Sequence, residues 1–175
     1  ALMCDGLTVV VSPLISLMQD QVRSLTAVGV EAVVLNSSLD PQTYRENMSA
    51  VRRGRVRLLY LAPETLFKGS IMQLLADCRV RIFAIDEAHC ISEWGHDFRP
   101  EYRQLAQVRS SFPQAVCIGL TATATPRVRD DIAGSLGIED AARFVASFDR
   151  PNLLLRVRPR EKPMAQLLEL TQRYE

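Results

Sequence analysis

At 175 residues, with 47% hydrophobic and 23% charged side chains, the chain has the make-up of one ordinary globular domain, which excludes a disordered or fibrous protein. Its net charge of +1 excludes a global field for nucleic acid, so any such contact has to come from local basic patches. No apolar run approaches the roughly 20 residues of a membrane span, and no charged-then-apolar leader opens the chain, so a cytoplasmic protein without membrane contact is expected, nucleoid-associated if bacterial.

The predicted elements alternate. "LTVVV" (Leu7–Val11) is a continuous apolar, β-branched run, the pattern of a strand buried on both faces. Ser12 offers an N-cap and Pro13 a first helical position, opening a helix to about Val28 that Gly29 stops. Val30–Leu35 is the next strand, and Asp40-Pro41 opens a second helix ending near Gly54. Val56–Ala62 is a third strand, followed by short helical material over Glu64–Asp77, and "VRIFAI" (Val80–Ile85) is a fourth. Pro100 starts a helix through about Ser111, Val116–Thr121 is a fifth strand, and Pro126 starts a helix that Gly137 ends. "RFVAS" (Arg143–Ser147) is a candidate sixth strand. Strands alternating with helices imply right-handed crossovers, hence an α/β fold with an open parallel sheet and helices on both faces.

Such sheets carry their chemistry beyond the carboxyl ends of the strands. The segments that follow the strands here are "SPLIS", "NSS", "PET", "DEAH", "TATAT" and "FDRPN", polar and small. Caps and turns explain Ser12, Asn36 and Thr125 equally well. "DEAH" is more informative. Asp86 leaves a buried strand at this edge, where a carboxylate can hold Mg²⁺ through water, and Glu87 beside it can orient the water that attacks a γ-phosphate. The structural alternative is that Asp86 caps a helix and Glu87 favours its positive end. The following loop concentrates the chain's single Trp and both His residues within a few positions. Its Trp94 and Phe98 rings offer faces for bases, and Arg99 can pair with a phosphate or stack on a ring. Burial of both rings under a long loop is the structural alternative, though Gly95 and Asp97 favour a polar loop. The basic run "VRRGRVR" (Val51–Arg57) reads better as a solvated face than as a DNA contact, and "RVRPREK" (156–162) reads similarly. The four cysteines, Cys4, Cys78, Cys90 and Cys117, have no C-x-x-C spacing. They read as free thiols, with zinc not expected on them.

"DEAHCISEWGHDFRPEY" (Asp86–Tyr102) resembles, nearly letter for letter, the signature of the RecQ DNA helicases of superfamily 2, which are built on two RecA-like lobes. "VVVSPLISLMQDQV" (Val9–Val22), "LLYLAPE" (Leu58–Glu64), "LTATAT" (Leu120–Thr125) and "SFDRPN" (147–152) resemble further family motifs in the right order. The resemblance implies an ATP-dependent 3′-to-5′ DNA helicase acting in recombination and repair, with ATP, Mg²⁺ and single-stranded or partly duplex DNA as ligands. Asp86 and Glu87 match the pair for Mg²⁺ and water, with Asp86 as the metal carboxylate. His89 matches the residue linking nucleotide state to the nucleic-acid side, and Thr121 and Thr123 match the motif that ties hydrolysis to strand separation. Trp94, His96, Phe98 and Arg99 match the aromatic-rich loop that senses single-stranded DNA. Ser12, Pro13, Ala62, Pro63 and Glu64 match segments that line the DNA path.

The departures are as informative. No G-x-x-x-x-G-K-[ST] occurs anywhere in the chain. The resemblance places that phosphate loop and its strand before the first residue, so the first RecA-like domain (1–147) is expected to be truncated at its N-terminus. Residues 148–160 then form a linker, and 161–175 open the second lobe. A fragment without the phosphate cradle is expected to be inactive alone, and a sheet missing a strand exposes edges. Two other classes stay open: a non-catalytic nucleic-acid-binding module on the same scaffold, and an RNA helicase of the same superfamily. The intact carboxylate pair disfavours the first, and the loop after "DEAH" disfavours the second.

Overall fold

The computed structural model describes residues 1–147, 151–154, 157 and 159–173. They form two compact units, 1–141 and 142–175. In the first, five strands make one parallel sheet: β1 (Leu7–Val11), β2 (Ala32–Leu35), β3 (Leu58–Leu61), β4 (Val80–Ile85) and β5 (Val116–Gly119), in the spatial order β2-β3-β1-β4-β5. The helices are α1 (Ile15–Ala27), α2 (Pro41–Arg52), α3 (Pro63–Leu66), α4 (Gly69–Ala76), α5 (Pro100–Arg103), α6 (Leu105–Ser111) and α7 (Pro126–Leu136). The second unit contains α8 (Pro163–Arg173).

Register sorts the side chains onto two faces. The row Val33–Leu59–Val9–Phe83–Cys117 crosses all five strands and faces the larger core, which α2, α4, α6 and α7 cover with residues such as Val51, Leu74, Val108 and Ile132. The next row, Val34–Tyr60–Val10–Ala84–Ile118, faces the other way, onto Met18, Val22 and Leu25 of α1. That single helix lies over β2 and β3. Towards β5, Val116 and Ile118 are exposed at the sheet edge. Apolar runs without alternation are thus explained by burial on both faces.

Local signals account for the helix ends. Asp40 accepts hydrogen bonds from the backbone N–H groups of Gln42 and Thr43, with Pro41 in the first turn. Thr125 caps α7 in the same manner, and Gly137 closes it in the left-handed region.

Three expectations are corrected. Ser12 does not cap α1. The helix starts at Ile15 behind Leu14, which makes no side-chain cap, because the Ser12 hydroxyl is engaged elsewhere. The helix expected from Pro100 to Ser111 is two pieces. It breaks at Gln104, where bonds spanning three residues (Gln104 N–H to Glu101 C=O, Gln107 N–H to Gln104 C=O) replace the helical ladder. The candidate sixth strand, Arg143–Ser147, is irregular and forms no strand among the described residues, with Phe144 and Val145 exposed. The exit segment after it and the basic run 156–162 fall partly outside the described residues. Among the described residues no helix is long and apolar enough to cross a membrane.

Candidate functional site

Because every strand is parallel, all five carboxyl ends meet on one edge, and backbone bonds stitch them together there. The Ser12 N–H donates to Leu61 C=O, the Asp86 N–H to Val11 C=O and the Leu120 N–H to Ile85 C=O. Asp86, the first residue beyond β4, is fixed on three sides. Its Oδ2 accepts from Ser12 Oγ at 3.1 Å, its Oδ1 accepts from the Glu87 N–H at 3.0 Å, and its carbonyl accepts from the Tyr102 hydroxyl at 3.2 Å. Each carboxylate oxygen therefore retains lone-pair capacity while its orientation is set. This donor set fits a Mg²⁺ ion held through water, a hard cation that keeps most of its hydration shell. The phosphate side of such a site has no cradle among these residues, since the chain contains no phosphate-loop pattern.

Glu87 has φ 49° and ψ 43°, the only left-handed non-glycine backbone among the described residues. That conformation costs of order 1–3 kcal/mol and persists where its surroundings impose it. Here it turns the chain sharply from β4 into the short 3-10 helix Ala88–Ile91, and the Ala88 N–H closes the turn on Leu120 C=O. The Glu87 carboxylate reaches His89, with Oε2 at 3.1 Å from Nδ1.

His89 is buried, and its Nδ1 also lies 2.9 Å from Thr121 Oγ1. Burial, then the neighbouring His96, holds its pKa below the ordinary imidazole value. The ring is accordingly neutral at pH 7, and its contact with Glu87 is a hydrogen bond rather than an ion pair. The His96 ring stacks on it with centroids 4.2 Å apart and planes 21° apart, and His96 Nδ1 approaches Thr123 Oγ1 at 3.5 Å. The Thr123 N–H donates to Thr121 Oγ1 at 3.3 Å. A continuous chain of contacts thus runs from Glu87 through His89 and Thr121 to Thr123 and His96.

The loop beyond Ile91 folds back over this chain. Gly95 permits the return, because a Cβ there would collide with the His89 carbonyl oxygen and crowd that of Ser92. The Arg99 guanidinium makes two bonds to Asp97 Oδ2, at 2.9 and 3.2 Å, which keeps the Asp97 carboxyl below the usual range. Arg103 pairs with Glu93 at 2.9 Å and lies over the Phe98 ring. Trp94 is 61% exposed, so the core alternative for this ring does not hold, while Phe98 is only half-buried.

The structure thus gathers Asp86, Glu87, His89, Thr121, Thr123 and His96 into one cluster, with Trp94, Phe98 and Arg99 on the loop above. Ser12 joins the cluster from below and is wholly buried. Pro13 is half-buried, Ala62 and Pro63 are buried, and only Glu64 of that segment is exposed. Two contributors went unnoticed in the sequence. Tyr102 sits at the end of the "DEAH" signature and gave no sign of bonding to its beginning. Arg127, just behind Thr125, lies over Trp94. The fold also places ligand atoms of His89, Cys90 and Asp97 within 4.8 Å of one another, which spacing did not suggest. Those atoms are already engaged: the Cys90 thiol, pushed up to about 11 by burial, donates to Asp97, which Arg99 neutralises.

A family model described as "DEAD/DEAH box helicase" matches residues 3–132. The ATP-dependent DNA helicase RecQ of Haemophilus influenzae is 47% identical over 167 residues, which is 95% of this chain and 27% of that protein. RecQ of Bacillus subtilis is 44% identical over 158 residues, 90% of this chain and 27% of its own length, and the ATP-dependent helicase wrn-1 of Caenorhabditis elegans is 43% identical over 177 residues, 97% and 16%. The chain thus spans about a quarter or less of these relatives. Among solved structures, the helicase domain of Pyrococcus furiosus Hef superimposes with a TM-score of 0.53 at 22% identity, over 79% of this chain and 29% of that one, a likeness of fold. With its five-stranded parallel sheet of RecA-like helicase type and its "DEAH" edge, this chain belongs to the DEAD/DEAH box helicase family and is of the RecQ type.

Proposed function

We propose that this chain is part of the motor of an ATP-dependent 3′-to-5′ DNA helicase, coupling ATP hydrolysis to strand unwinding in recombination and repair. Residues 1–147 supply the first lobe, 148–160 the linker and 161–175 the start of the second lobe. The observation that carries the reading is the contact chain from Glu87 through His89 and Thr121 to Thr123 and His96, with Trp94 on the same loop. A pure binding module has no physical need for that chain.

In this reading Asp86 holds a water-bound Mg²⁺, which supplies charge neutralisation for the phosphates of ATP. Glu87 orients the attacking water and takes its proton. Neutral His89 donates through Nδ1 to Glu87 or to Thr121, so a shift in the threonine segment changes how Glu87 is held. Trp94 and Phe98 stack bases of a single strand, and Arg99 meets a phosphate once it leaves Asp97. Pro13 and Ala62–Glu64 border the strand's path, whereas Ser12, wholly buried, acts through its bond to Asp86. In this reading the phosphate loop is supplied by residues outside this chain, and the exposed Val116 and Ile118 at the β5 edge support a further element there. The chain by itself is therefore inactive in ATP turnover and unwinding, and the protein works in the cytoplasm on DNA.

The test uses a longer protein that joins this chain to a phosphate loop and a second lobe. ATP hydrolysis is measured with and without single-stranded DNA, for wild type and Trp94→Ala. Strong stimulation that the variant loses supports the reading. Equal turnover by both overturns the loop assignment, and no turnover by either favours the binding module.

A further inference from the structure

The loop side chains assigned to DNA each already have a partner within the chain. Arg99 is held by Asp97, Phe98 lies under Arg103, and the Arg127 guanidinium carbon sits 3.4 Å from the centre of the Trp94 ring. Arg127 is an exposed residue in the first turn of α7, directly behind the Thr121–Thr125 segment. At 3.4 Å it occupies one face of the indole at stacking distance, the same kind of surface a nucleobase needs.

We propose that Arg127 is a positioning residue that holds Trp94 folded against the start of α7, and that a base of an incoming single strand must displace it. The inference rests on the reading of this loop as a DNA sensor. A guanidinium over an exposed indole is a weaker contact than a stacked base, so the strand wins the exchange but loses part of its binding. Arg127 thereby sets the DNA concentration at which Trp94 is released. Release also frees the loop that carries His96, and with it the contacts to Thr123 and His89. A phosphate contact is the competing role for an arginine at this place, and charge alone satisfies that role where stacking does not.

Trp94 is the only tryptophan, so its emission reports the contact directly. The experiment compares wild type, Arg127→Ala and Arg127→Lys in the full 175-residue chain. It measures acrylamide quenching of Trp94 without DNA, the apparent Kd for oligo(dT) from Trp94 emission, and the melting curve. Arg127→Ala is expected to raise the quenching constant and to tighten oligo(dT) binding about two- to five-fold, with an unchanged melt. Arg127→Lys should fall between. Unchanged quenching in Arg127→Ala, with oligo(dT) still bound, overturns the stack and leaves the sensor reading intact. Weaker oligo(dT) binding in Arg127→Ala that Arg127→Lys restores overturns it in favour of a phosphate contact. Raised quenching with no oligo(dT) response in any of the three proteins leaves the stack but sinks the sensor reading, and the displacement with it.

Discussion

Replacing Ser12 by Ala removes one hydroxyl and nothing else. The residue is wholly buried, Ala fills the same space less one oxygen, and the Ser12 N–H keeps its bond to Leu61. What disappears is the 3.1 Å hydrogen bond to Asp86 Oδ2. A bond to an ionised group contributes about 1.5–3 kcal/mol, but Asp86 is half-buried and water can replace part of the contact, so the expected cost is about 1–1.5 kcal/mol. At roughly 2–4 °C per kcal/mol for a chain of this size, Tm should fall by about 2–6 °C. Urea unfolding should show the same loss with an unchanged slope, and a double-mutant cycle with Asp86→Ala should give a coupling of about 1 kcal/mol. Oligo(dT) affinity should hold. If Ser12→Ala unfolds like wild type, or weakens DNA binding with no loss of stability, the residue belongs to the DNA path and the bond to Asp86 is incidental.

Three other outcomes are expected. Gly95→Ala forces the loop away from the His89 carbonyl, which should cost about 1–3 kcal/mol and shift Trp94 emission; a silent substitution would mean the return is not tight. His89 has a depressed pKa, so between its ordinary value of 6.5 and its lower folded value the unfolded chain binds a proton that the folded chain does not. Stability is therefore full above about pH 6.5 and declines as pH falls through that window; melts from pH 7.5 to 5.5 should show this, with a shallower slope in His89→Gln. The Cys90 thiol, near 11, is about one-thousandth thiolate at pH 8, so a thiol reagent should leave it unmodified in the folded chain, as peptide mapping can check.

Much of the frame was legible because strands and caps are local. "LTVVV" and "VRIFAI" matched β1 and β4 residue for residue, since short, mostly apolar runs rich in Val and Ile are too short for a helix and fit a buried strand. Asp40-Pro41, Thr125-Pro126 and Gly137 marked helix ends because a cap satisfies backbone groups within a few residues. Arg143–Ser147 looked like a strand by the same local criterion but is irregular, since a strand is set by pairing and packing as well as by its own residues.

The sequence by itself determined an α/β chain with its carboxylates just beyond the fourth strand, and it pointed to the family through one loop. Only the tertiary structure decided the strand order, the role of Ser12 and the partner of Trp94. Ser12 and Asp86 are 74 positions apart, and His89 and Thr121 are 32 apart. Periodicity carries no information over such distances. These pairs meet because the parallel register brings all five strand ends to one edge, and which polar groups face one another there is settled by the order of strands across the sheet.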